Sequence, residues 1–205
     1  RDGQVALRLV DVNNDGVKEI IIRQSGGFYD SRFYREDLVK FTKYFESEKL
    51  TEENSMLLQL TCMTQEGEIL WQVGKPWTDE RPYISHASKS MTKVADINKD
   101  GRVEVLYVLK DKLYMLDGVT GNLLHVTTLP TETINSIAMQ NLGDRYNIIL
   151  KCDGESDYGY GKPLLAYDNN FNPIGQHTEL IGSGHNMVTA DIDGDGMDEI
   201  FEGYN

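Results

Sequence analysis

Three stretches of this chain carry one acidic pattern without a gap, and only a repetitive fold places such a pattern at such distances. The first is Leu9-Val10-Asp11-Val12-Asn13-Asn14-Asp15-Gly16-Val17-Lys18-Glu19-Ile20. The second is Val94-Ala95-Asp96-Ile97-Asn98-Lys99-Asp100-Gly101-Arg102-Val103-Glu104-Val105. The third is Thr189-Ala190-Asp191-Ile192-Asp193-Gly194-Asp195-Gly196-Met197-Asp198-Glu199-Ile200. The shared form is D-x-[ND]-x-D-G-x-x-E, with apolar, strand-like residues on both sides. The leading Asp stands at 11, 96 and 191, so it recurs after 85 and then 95 residues.

A β-propeller blade takes about 40–50 residues, so each interval predicts two blades, or one blade with an insertion. The second interval holds a degenerate copy. Ile134 to Gln140 reads as a strand, Asn141-Leu142-Gly143-Asp144 as a turn and Tyr146 to Lys151 as the next strand. That turn lacks most of the carboxylates, which predicts a blade without metal. In the first interval, residues 25–54 interrupt the strand pattern. Glu36 to Phe45 has helix-like apolar spacing, so this segment reads as a partly helical insertion or as a disordered loop.

Elsewhere, short strands alternate with Gly, Asn and Asp turns. Met56 to Met63 and Glu68 to Val73 flank Gln65-Glu66-Gly67. Val103 to Leu109 and Lys112 to Leu116 flank Lys110-Asp111, and Asn122 to Thr128 follows Gly118-Val119-Thr120-Gly121. Leu164 to Tyr167 and Pro173 to His177 flank Asp168-Asn169-Asn170. The predicted fold is all-β, with three and a half four-stranded blades over residues 1–205. That is too few to close a ring, so the expectation is part of a larger propeller, entered at a blade's innermost strand.

The acidic loops suit a hard cation. Ca²⁺ takes about six to eight oxygen ligands at roughly 2.3–2.6 Å. Side chains at loop positions 1, 3 and 5 converge when the backbone curls, position 7 offers its carbonyl, and position 9 a further carboxylate. Gly at position 6 permits the sharp turn. The expected sites are Asp11, Asn13, Asp15 and Glu19 with the carbonyl of Val17; Asp96, Asn98, Asp100 and Glu104 with that of Arg102; and Asp191, Asp193, Asp195 and Glu199 with that of Met197. The third carries the most charge and is expected to bind most tightly. Mg²⁺ suits these loops less, because it holds its water in strict octahedral geometry. The alternative is an ordinary D-G turn between strands. A helix-loop-helix site needs a carboxylate at position 12, where Glu202 fits but Ile22 and Tyr107 do not. The β-branched flanks also favour strands.

The net charge of −13 argues against a nucleic-acid partner, and no apolar run approaches the roughly 20 residues of a membrane span. Cys62 and Cys152 match no zinc spacing; they form one disulfide or remain two buried thiols.

The three loops resemble the FG-GAP/VCBS repeats of calcium-binding propellers. Leu164-Leu165-Ala166-Tyr167-Asp168-Asn169-Asn170-Phe171-Asn172-Pro173-Ile174, Gly182-Ser183-Gly184-His185-Asn186 and the third loop together resemble rhamnogalacturonan lyases of polysaccharide lyase family 11. That resemblance implies a secreted or cell-surface, eight-bladed, Ca²⁺-binding propeller that cleaves a pectin-type polysaccharide by β-elimination. It covers Leu164 to Ile200 well and the remainder only through the loops, and it places no catalytic base. Lys112 to Leu124 also looks like a blade end of quinoprotein-type propellers. A non-enzymatic propeller that binds glycan or protein at the cell surface is the alternative, and a scaffold within a larger protein is a third reading.

His185 and His86 precede predicted innermost strands and are the candidate catalytic residues, although a loop histidine is usually plain polar surface. Trp77, Tyr83, Tyr158 and Tyr160 are candidates for stacking on sugar rings, whereas Trp71 follows strand alternation and reads as core. Arg81, Lys89 and Lys162 could pair with a uronate carboxylate or simply stay solvated.

Overall fold

The computed structural model describes residues 4–25, 58–73, 92–109, 111–130, 134–152, 164–177 and 187–202. These form fourteen strands, joined mostly as hairpins. The chain divides into two compact units, one of residues 1–9 and 19–85 and the other of residues 10–18 and 86–205. Among the described residues there is no helix long and apolar enough to cross a membrane. The helix expected at Glu36 to Phe45 lies outside the described residues.

The first sheet runs β1 (Gln4–Val10), β2 (Glu19–Ser25), β3 (Leu58–Met63) and β4 (Ile69–Val73) in sequential order. Strand alternation drives its core. Glu19, Ile21 and Arg23 of β2 are buried while Ile20 and Ile22 are only partly so. Leu60, Cys62 and Trp71 complete this core, so Trp71 takes the role its alternation suggested. Burial, with a smaller push from the Glu19 carboxylate, raises the Cys62 thiol to about 11. Cys152 is also buried. The hairpin between β3 and β4 closes at Gln65-Glu66-Gly67 as expected, with Gly67 at φ 91° and its amide donating to the Thr64 carbonyl at 3.1 Å.

The second unit stacks three sheets. One holds β5 (Thr92–Ala95), β6 (Glu104–Leu109), β7 (Lys112–Asp117) and β8 (Leu123–Thr128). The next holds β9 (Ile134–Asn141), β10 (Tyr146–Cys152), β11 (Leu164–Tyr167) and β12 (Pro173–His177). The last pairs β13 (Met187–Ala190) with β14 (Glu199–Glu202). All are antiparallel. The expected three four-stranded groups and a half group therefore appear as three four-stranded sheets and one hairpin.

The second strands of the two four-stranded sheets of this unit are covered on both faces. Val105 to Val108 of β6 and Asn147 to Cys152 of β10 are buried without interruption, so alternating burial gives way to continuous burial, with Asn147 and Lys151 enclosed among the apolar residues of β10. Ile97, Leu106, Val108, Leu113, Ile137, Ile148, Leu150 and Tyr167 form one cluster that joins the second and third sheets face to face. Ala138, Ile149, Leu164 and Met187 form a smaller cluster between the third sheet and β13. The last strand of each of these two sheets is the opposite: five of the six residues of β8 are exposed, as are Pro173 to Gln176 of β12.

Each acidic loop joins the first two strands of its sheet: β1 to β2, β5 to β6 and β13 to β14. In the third sheet the same place, between β9 and β10, holds the shorter turn through Asn141-Leu142-Gly143-Asp144.

Candidate metal-binding loops

The three loops share one backbone conformation. Position 4 has positive φ in each, 60° at Asn14, 59° at Lys99 and 80° at Gly194, and the position-6 glycines Gly16, Gly101 and Gly196 stand at 89°, 91° and 90°. Short Asp and Asn side chains curl the chain by accepting their own backbone amides. Asp11 accepts Asp15 N at 3.1 Å and Gly16 N at 2.8 Å; Asp96 accepts Asp100 N and Gly101 N, each at 2.9 Å. Asp191 accepts Gly194 N at 2.7 Å and Gly196 N at 2.9 Å. Position 3 accepts the position-5 amide in every copy, from Asn13, Asn98 and Asp193. Position 5 accepts the position-7 amide from Val17, Arg102 and Met197.

A Cβ added at Gly101 would meet nothing within 4 Å, so Gly101→Ala carries only the conformational penalty of positive φ. That penalty is about 1–2 kcal/mol, and denaturant unfolding of the variant should read it.

In the third loop the result is a tight cluster of carboxylate oxygens: those of Asp191, Asp193 and Asp195 lie within 4.8 Å of one another, all three exposed. In the first two loops the central acid is Asn, whose amide nitrogen donates to Asp15 and Asp100, each at 3.0 Å. The position-9 carboxylate lies deeper. Glu19 and Glu104 are buried, and Glu199 is half-buried. Glu104 Oε2 accepts Ile97 N at 2.8 Å, and Glu199 Oε2 accepts Ile192 N at 2.9 Å, so this residue ties position 2 to the start of the following strand. Glu199 is not one of the mutually close oxygens of its loop. Burial, together with Asp100, Asp96 and Asp117 nearby, raises Glu104 to about 7 even though the Ile97 amide pulls it down.

Strands flank all three loops, which excludes the helix-loop-helix alternative. His86, His185, Trp77, Tyr83, Tyr158, Tyr160, Arg81, Lys89 and Lys162 lie outside the described residues.

Sequence reasoning missed the links between neighbouring loops in the second unit. Asn14 donates its side-chain amide to the Gly101 carbonyl. Lys99 reaches the turn of the third sheet, donating to Asn141 Oδ1 at 2.7 Å and to the Gly143 carbonyl at 2.6 Å. From the other side, Asp198 N donates to the Asn141 carbonyl at 2.8 Å, and Asp198 Oδ2 accepts Asn141 N at 3.0 Å. Side chains at positions 4 and 8 carry these links, and both positions vary among the three copies.

No protein-family model and no curated protein sequence matches the chain. Among solved structures it is similar to the biofilm matrix protein Bap1 of V. cholerae, with 16% identity and a TM-score of 0.54. The match covers 98% of this chain and 28% of that one, so the chain spans little more than a quarter of the neighbour's length. At that identity the likeness concerns fold alone.

Proposed function

We propose that the chain is a set of β-propeller blades of an extracellular protein, held by Ca²⁺ in three loops. The observation that carries this reading is the common loop geometry: oxygen-bearing side chains at positions 1, 3 and 5, curled by closely similar backbone bonds around glycines at positive φ, and in the third loop three exposed carboxylates close together. Asp and Asn side chains carry oxygen donors of the hard kind that suits Ca²⁺. Asp11, Asn13 and Asp15, Asp96, Asn98 and Asp100, and Asp191, Asp193 and Asp195 would hold the ions, with Glu19, Glu104 and Glu199 bracing each loop from below. The role is structural: an ion there fastens the end of one strand to the start of the next. Sequential sheets packed face to face support the propeller reading. An extracellular setting accords with the fold likeness to a biofilm matrix protein.

Calorimetric titration of the metal-stripped protein tests this. The expected result is three Ca²⁺ bound per chain, with little heat from Mg²⁺ at the same concentration, and two after Asp191→Asn. Absence of Ca²⁺ binding at millimolar concentration would discard the reading. The resemblance of Leu164 to Ile200 to rhamnogalacturonan lyases favours a carbohydrate-active version. Incubation with rhamnogalacturonan I should then release an unsaturated, ultraviolet-absorbing product; release of none would leave binding without cleavage.

A further inference from the structure

The turn of the third sheet occupies the place of an acidic loop but lacks most of its acids. Where the other sheets carry Asp at the start and Asn or Asp two residues later, it carries Asn141 and Gly143. Its oxygens nonetheless converge on a positive charge. The Lys99 ammonium lies 2.7 Å from Asn141 Oδ1 and 2.6 Å from the Gly143 carbonyl, and 4.9 Å from the centre of the Tyr146 ring. Asn141 Oδ1 also accepts Gly143 N at 3.1 Å, so the oxygen that meets the ammonium shapes the turn as well.

We infer that Lys99 is the built-in cation of this turn, supplied by the preceding sheet in place of a diffusible ion. The comparison with the acidic loops rests on the calcium reading above; the contacts do not. The pattern at position 4 agrees with it. Asn14 occupies the same place in the first loop, with nearly the same φ, and reaches the same kind of target, a glycine carbonyl of the next loop. That next loop has its own carboxylates to draw a cation, and its neighbour offers a neutral amide. The turn at Asn141 has no carboxylate at its first or third position, its one acid, Asp144, pairs with Arg145 at 3.2 Å, and its neighbour offers an ammonium. A Lys side chain at positive φ is held against its backbone preference, which two charged hydrogen bonds and a ring contact offset. The repeat that lost most of its acids thus keeps a positive charge where the others take one from solution.

Lys99→Met keeps an unbranched side chain of similar size and removes the charge and the donors, so a purely packing role would leave it neutral. The expected result is a thermal midpoint lower by roughly 2–4 °C, and by the same amount in chelator as in millimolar Ca²⁺. Lys99→Arg, which keeps the charge, should recover part of the loss. A Lys99→Met midpoint within about 1 °C of the parent in both conditions would overturn the inference. If Ca²⁺ shifts neither protein while the Lys99→Met loss persists, the calcium reading fails and this one stands. If Ca²⁺ shifts both by the same amount and the substitution costs nothing, the reverse holds.

Discussion

Chelation of divalent cations should lower the midpoint of thermal unfolding by roughly 10 °C or more. An ion bound only by the folded state, at about 100 times its dissociation constant, contributes about 2.7 kcal/mol per site. For a chain of this size each kcal/mol moves the midpoint by about 2–4 °C. Three loops of one geometry should therefore act together, and losing the ions also leaves clustered carboxylates to repel one another. In the third loop these are Asp191, Asp193 and Asp195, within 4.8 Å. Calorimetric scans in Ca²⁺, in chelator, and in Mg²⁺ at matched ionic strength check this. Superimposable scans in Ca²⁺ and chelator would contradict a structural role for the ion.

The second large effect is expected at loop position 2. Ile97 is fully buried within the cluster that joins the second and third sheets. Its amide donates to Glu104, and its carbonyl accepts Tyr146 N at 3.2 Å. The same position in the third loop is Ile192, which is 66% exposed. Ile97→Ala removes buried methyl groups from a packed site and should cost about 2–5 kcal/mol. Ile192→Ala should change stability by no more than about 0.5 kcal/mol, as surface substitutions usually do. Urea unfolding of the two variants makes the comparison, since residue type and loop geometry are shared and only burial differs. Equal losses would mean that position 2 acts through its loop, not through the core.

Most of the strands were legible in the residues. Those of the second and third sheets lie within a residue or two of where β-branched runs and Gly, Asn and Asp turns put them. The loops were legible because their chemistry is local: each carboxylate folds back on an amide two to five residues away. The links that join one loop to the next were not. Lys99 and Asn141 are 42 residues apart, and Asp198 and Asn141 are 57 apart. Nothing in the spacing of a single chain brings them together. The second task of the position-9 glutamate was hidden for another reason. A carboxylate at that place suits a metal ligand and a backbone brace equally well, and only burial and the Ile97 and Ile192 amides reveal the brace.

The uneven covering of the strands has a consequence for how this molecule tolerates change. With β6 and β10 enclosed on both faces, and β8 and β12 open to water, each of those two sheets has a rigid spine and a permissive rim. Backbone amides along the spine should exchange with solvent only when a whole sheet opens, whereas the rim can release its protons through small local motions. Diversity of sequence, and any grafted loop or added recognition element, can accumulate along that outer margin while the enclosed strands hold the framework still.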